Sequence, residues 1–245
     1  MDDALPILAY LPLSYRNKDE ERYVGFLWES FATNYENGKY EFANLAFHLL
    51  YMSHVCFAVW RIRTARRADF EKAMVGFQST VENRLYKADN PFLFYEHLKE
   101  STIFRFIKLI GCGNEQVGEF AKFVKYRNRI AHPSGTTLFN DQQALDDHVA
   151  QVLTEVGNLQ ARMAPLLHDL FTEFLRSVSN DPDQREAPDA QTEIDTNLVH
   201  RYYLSQKDIE AWLGFDIDTL AGHENFAAIK MLFNAFVQTH QSDLA

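Results

Sequence analysis

Apolar residues recur at helical spacing along most of the chain, and no segment alternates apolar and polar residues as a half-buried strand would. The segment from about Glu21 to Tyr35 reads as a first helix, ended by Asn37-Gly38, a pair suited to a helix C-terminus. A second runs from about Tyr40 to Ala65. Within it, Phe42 to Trp60 carries no Asp, Glu, Lys or Arg, a run long enough to cross a bilayer. Asn44, His48, Ser53 and His54 interrupt its apolar character. The favoured reading is therefore a buried central helix, with a membrane-associated protein as the alternative.

Further on, the pattern predicts a helix over 69–84, a break at Asp89-Asn90-Pro91, and a helix over 92–110 that stops at Gly111-Cys112-Gly113. Asn114 can open the next helix, with Val117, Phe120, Val124 and Ala131 on one stripe. A long helical segment starts at Asn140 or Asp141 and runs to about Val178, with Pro165 expected to kink or split it. Ser205-Gln206-Lys207-Asp208 has the form of a capping box, and a last amphipathic helix spans 224–238. Residues 1–21, with Pro6 and Pro12, read as an irregular lead-in.

The fold class expected is all-α: a helical bundle over 1–178, an acidic linker over 179–197, and a C-terminal helical extension over 198–245. Ten Gly and seven Pro are few for 245 residues, and 20 Phe and 11 Tyr promise an aromatic core. The net charge of −10 argues against nucleic acid until its distribution is seen. Six acids and one base lie between Asp181 and Asp195, so half of the total sits in the linker. Bases gather instead at Arg61, Arg63, Arg66 and Arg67, and again at Lys122, Lys125, Arg127 and Arg129. The first group follows the apolar helix and reads as a partner of its C-terminal dipole or as part of an RNA path. Cys56 and Cys112 make no disulfide framework, and the acidic N-terminus lacks the basic start of a secretory signal. A cytoplasmic protein, with no membrane partner, is expected. There is no Walker loop, no GxGxxG and no carboxylate–His spacing for zinc; no cofactor or metal is expected. His48 and His54 read as core histidines, and Trp212 and Phe215 as core or interface.

The chemistry-bearing stretch is Lys125-Tyr126-Arg127-Asn128-Arg129-Ile130-Ala131-His132-Pro133-Ser134-Gly135. On an unbroken helix Arg127 and His132 point about 140° apart. Pro133 disfavours helical backbone at His132, so the imidazole is expected to turn toward Arg127. Asn128, four residues before His132, is placed to hold the ring. A guanidinium grips a phosphate through paired hydrogen bonds, and an imidazole moves protons at neutral pH. Together they suit attack by an RNA 2′-hydroxyl on its own phosphodiester. The bland reading is that these groups only complement a helix dipole.

Arg127-Asn128-Arg129-Ile130-Ala131-His132 resembles the Arg-x4–6-His signature of the HEPN superfamily. The resemblance covers these six residues and an all-helical setting over roughly 20–178. It implies an α-helical bundle, homodimeric, with the motifs meeting at the interface. It also implies a metal-independent endoribonuclease of toxin–antitoxin or anti-phage defence systems, with a possible antitoxin or regulatory partner. Arg127 and His132 become the catalytic pair, Asn128 their polar support, and Lys122, Lys125 and Arg129 peripheral RNA contacts. Toxins of this group controlled by adenylylation carry Tyr two residues after the His, where this chain has Ser134. A looser match, Arg162 to His168, lacks the Asn and the following loop. The alternative function is a non-catalytic helical interaction or nucleotide-binding module.

Overall fold

A computed structural model describes residues 2–132, 135–181 and 187–241. The fold is all-α, and among the described residues only two isolated bridges, Pro12 with Ser205 and Val75 with Phe77, have strand-like pairing. The helices are α1 (Lys18–Glu36), α2 (Tyr40–Ala65), α3 (Arg67–Ala73), α4 (Ser79–Tyr86), α5 (Leu93–His97) and α6 (Glu100–Ile103). They continue with α7 (Asn114–Ala121), α8 (Phe123–Ala131), α9 (Gln142–Ser177), α10 (Ala190–Glu193), α11 (Gln206–Leu213) and α12 (Phe226–Gln241).

α2 is the axis. It packs against α1, α8 and α9. Of its most apolar 18-residue stretch, 83% is buried by the rest of the chain. The uncharged run is thus explained by packing on all sides of one helix. α1 begins earlier than the pattern suggested, because the Asn17 side chain accepts from the backbone N–H groups of Asp19 and Glu20 at 3.0 and 2.9 Å. Three acids in its first turn complement the dipole. It ends at Asn37, and Gly38 takes the left-handed φ of 66° that this pair foretold.

Several expected elements differ. The lead-in is not irregular: Asp2–Tyr10 is a 3₁₀ helix that buries Ala4 and Ile7. The helix expected over 69–84 is two, because Gly76 adopts φ 104° and turns the chain out at exposed Val75. The segment 92–110 is α5, α6 and a 3₁₀ turn, Phe104–Ile110. Phe94, Ile103, Phe104, Phe106 and Ile107 are all buried, more than one straight apolar stripe could bury against α2. The motif helix is broken at Lys122 into α7 and α8, and Ala131, expected on the apolar stripe, is exposed. α9, by contrast, is unbroken through Pro165. Pro165 lies on the exposed side between buried Met163 and Leu166, where water can satisfy the carbonyl that its missing N–H leaves free.

The linker expectation is corrected in its second half. Ala190–Glu193 is capped by Asp189, whose carboxylate accepts from the Thr192 N–H at 2.8 Å, and it runs into a π-helical turn, Ile194–His200. Ile194 and Leu198 are buried in the common core, so this stretch packs despite its acidity. Residues 182–186 lie outside the described residues. The C-terminal extension joins the same core: Trp212 stacks on Phe171 of α9 with centroids 4.6 Å apart and planes at 7°. The Ser205–Asp208 capping box forms as read.

Asp208 does more than cap. Its carboxylate also meets Arg61 of α2 at 3.2 Å, and both side chains are fully buried. Arg61 further donates to the carbonyls of Tyr202 and Tyr203 at 3.2 and 2.9 Å. Within the first basic group, Arg61 and Arg63 are therefore built into the fold. Arg63 donates to the Tyr86 carbonyl, Arg66 to that of Leu109, and Arg67 pairs with Glu71.

Candidate functional site at the end of α8

α8 is fixed by the buried ring of Phe123, which meets Tyr51 of α2 edge-on at 5.5 Å. It is also held by His148 of α9, whose ring packs against Phe123, Tyr126 and Phe139. Burial, then the charges of His48 and Lys122, bring the His148 pKa down to about 4.

Arg127 points to the α6 side of α8 and forms a close ion pair with Glu100. That carboxylate is 6% exposed, yet it serves three donors. Tyr95 donates its hydroxyl at 2.5 Å and His48 its Nε2–H at 3.2 Å. An ionised carboxylate can only accept, which fixes the hydrogen on Nε2 of His48. Burial alone would raise the Glu100 pKa. The hydrogen bonds from His48 and Tyr95, the charge of His48 and the bond from Arg127 outweigh it and bring the value down to about 2. Burial pulls Arg127 down in turn, and Glu100 more than compensates, so its pKa rises. The Nε of Arg127 is buried without a partner.

His132 leaves the helix with φ −111° and ψ 141°, the extended backbone expected of a residue before proline. Its N–H donates to the Asn128 carbonyl at 3.1 Å, and its side chain is exposed. It lines a groove of about 790 Å³ together with Arg129 of α8, Glu41, Phe42 and Leu45 of α2, and residues 135–138. Glu41 shapes the groove wall by accepting from the backbone N–H groups of Leu138 and, at 3.1 Å, Phe139.

The expected constellation is thus divided. Arg127 does not line the groove of His132; Arg129 does. The separation follows the angle that five residues make on a helix. Asn128 is exposed, and it meets His132 through its backbone carbonyl rather than its amide. Lys122 is held by Glu119 at 2.9 Å and Glu155 at 3.1 Å. Lys125 and Arg129 are exposed and take part in no ion pair among the described residues. Pro133 and Ser134 lie outside the described residues. Arg162 and His168 of the looser match stand six residues apart on unbroken α9, roughly 120° from each other. Among the described residues no group of three or more His, Cys, Asp or Glu is clustered as a metal site would be.

Glu100 and Tyr95 were not singled out by sequence. The available signal was weak: Glu100 is one of two acids, with Glu96, in the apolar-patterned segment 92–110. His48 was read as a core histidine and is one, with a carboxylate for its partner. His54, also buried, bonds the Tyr10 carbonyl through Nδ1 while its Nε2 has no partner.

The fold defines a class: an all-helical chain wound round one buried helix. Comparison with protein-family models, with curated proteins and with solved structures finds no match for it.

Proposed function

We propose that this chain is a metal-independent endoribonuclease of HEPN type, acting as a homodimer in a toxin–antitoxin or anti-phage defence setting. The observation that carries the reading is the end of α8, where the exposed His132 imidazole and Arg129 line the same open groove. An imidazole there can take the proton of a 2′-hydroxyl as its oxygen attacks phosphorus, and a proton must reach the departing 5′-oxygen. A guanidinium beside it offsets charge on the non-bridging oxygens. Within one chain Arg129 fills that place, with Lys125 as an outlying phosphate contact. Arg127 is the strut that holds α8 on Glu100. Exposed Phe42 beside Leu45 gives the groove an apolar rim, which favours a second copy of the chain seated there.

Incubation of purified protein with RNA in EDTA tests this. Products should end in 2′,3′-cyclic phosphate, DNA of the same sequence should stay intact, and His132→Ala should lower the rate by about 10²-fold or more. Activity lost in EDTA and restored by Mg²⁺ counts against the reading.

The ion pair of half-buried Arg127 with buried Glu100 favours a second reading, a non-catalytic helical interaction or nucleotide-binding module in which the motif arginine is structural. In that case RNA is unchanged by the wild type and by His132→Ala alike, and Arg127→Ala loses stability only.

A further inference from the structure

A second cavity, of about 470 Å³, opens between the start of α1 and the loop that leads into α5. Three of its walls are aromatic: Tyr23, Phe92 and Tyr95. Tyr23 and Phe92 meet edge to face, centroids 5.1 Å apart and planes at 84°, so they form a corner. The remaining charge is all of one sign. Asp19, Glu20 and Glu96 line the space, and no Lys, Arg or His does. Asp19 and Glu96 stand at the rim, with Arg22 at 3.7 Å and His97 at 3.8 Å as neighbours.

Glu20 is different. It is 5% exposed, and none of the ion pairs among the described residues involves it. Its oxygens accept from the Tyr203 hydroxyl at 2.9 and 3.0 Å and from the Arg16 N–H at 3.1 Å. Buried carboxylates are normally matched by a cation as well as by hydrogen bonds. Here the positive end of α1 and the Arg16 guanidinium, 5.1 Å from the Tyr203 ring, supply counter-charge from within the protein, and no Lys, Arg or His supplies it from the cavity side. A corner of π-faces above a buried carboxylate is the environment that organic cations prefer. The same aromatic walls could stack a nucleobase, but three lining carboxylates would repel the phosphates attached to it.

We propose that this cavity binds a small organic cation, an alkylammonium group whose charge lies against the Tyr23–Phe92 corner and toward Glu20. The site is separate from the α8 groove and does not rest on the nuclease reading. Amide NMR titration of the full chain with choline, beside its neutral isostere in which carbon replaces the nitrogen, provides the test. Choline should perturb amides around 17–23 and 90–96, and the isostere should bind at least about tenfold more weakly. Tyr23→Leu keeps an apolar side chain at this half-exposed position and removes the π-face; it should weaken choline about fivefold to tenfold without changing the melting temperature. Equal binding of choline and isostere, perturbation centred elsewhere, stronger perturbation by adenosine than by choline, or no perturbation up to ~50 mM choline would each overturn the proposal.

Discussion

Two arginine–carboxylate pairs hold this molecule together, and they are built differently. Arg61 and Asp208 have no exposure at all, and every guanidinium nitrogen of Arg61 has an acceptor in the chain. Asp208 likewise serves Ser205 and Gln160 as well as Arg61. Nothing is left over for a ligand, so that pair fastens the C-terminal helices to α2. Arg127 is 27% exposed, reaches Glu100 with one edge, and keeps an Nε with no partner. A fully satisfied arginine is a strut; a partly satisfied one beside solvent can also bind. Burial and partner count separate these roles better than the presence of an ion pair does.

The strongest way to break the comparison is Asp208→Ala. It leaves Arg61 charged in the core and should cost about 3–5 kcal/mol, seen as a fall in melting temperature on the order of 10 °C. Acid should strike both regions next. His54, on the Arg61 side, and His148, beside α8, are each held to about 4 chiefly by burial. An unfolded imidazole takes its proton near pH ~6.5, so the stability gained by keeping each neutral is complete above that pH. It is lost as pH falls toward 4, on the order of 2–3 kcal/mol for each ring. His148→Phe, in its aromatic surroundings, should flatten the slope of melting temperature against pH over that window. Below it, Glu100 contributes in the other region: its support is present above pH ~4.5 and fades as pH falls toward 2.

A smaller effect is expected for Glu100→Gln. The amide keeps the shape but not the charge, and partial exposure lets water take up Arg127, so a loss of about 1–2 kcal/mol is expected by denaturant unfolding. A loss as large as that of Asp208→Ala would show that the two pairs are equivalent struts. His132→Ala should be smallest, within about 0.5 kcal/mol of wild type, because the side chain is exposed. It then isolates chemistry from folding: any change in RNA cleavage by this variant cannot be charged to stability.

What the sequence disclosed follows from where its signals are local. α1, α2 and α9 are long, and Gly38 and Asp141 mark ends whose roles depend only on nearby backbone; the start of α1 at Asn17 and the continuity of α9 through Pro165 were not read. The segments between 67 and 131 are short, and their breaks at Val75, Leu98 and Lys122 answer to packing around α2 rather than to a breaker, Gly76 excepted. The extended backbone of His132 was readable from Pro133. Its separation from Arg127 was readable too, from the helical angle, but the expected turn of the ring ran against it. Glu100 was hidden because its partners come from three elements: His48 on α2, Tyr95 on α5 and Arg127 on α8. No spacing rule joins residues that far apart. The acidity of 181–195 suggested solvent, yet Ile194 and Leu198 supply enough apolar surface to dock its end.

The Arg61–Asp208 bond also sets an order of events during synthesis. Its ends lie 147 residues apart, so α2 leaves the ribosome long before its counter-charge exists. At ~5–20 residues per second the wait is roughly 7–30 seconds, during which the most apolar helix of the chain carries an unmatched cation. The bundle around α2 therefore completes only when the last quarter of the polypeptide arrives, and a chain cut after α9 should emerge as a substrate for chaperones rather than as a folded half.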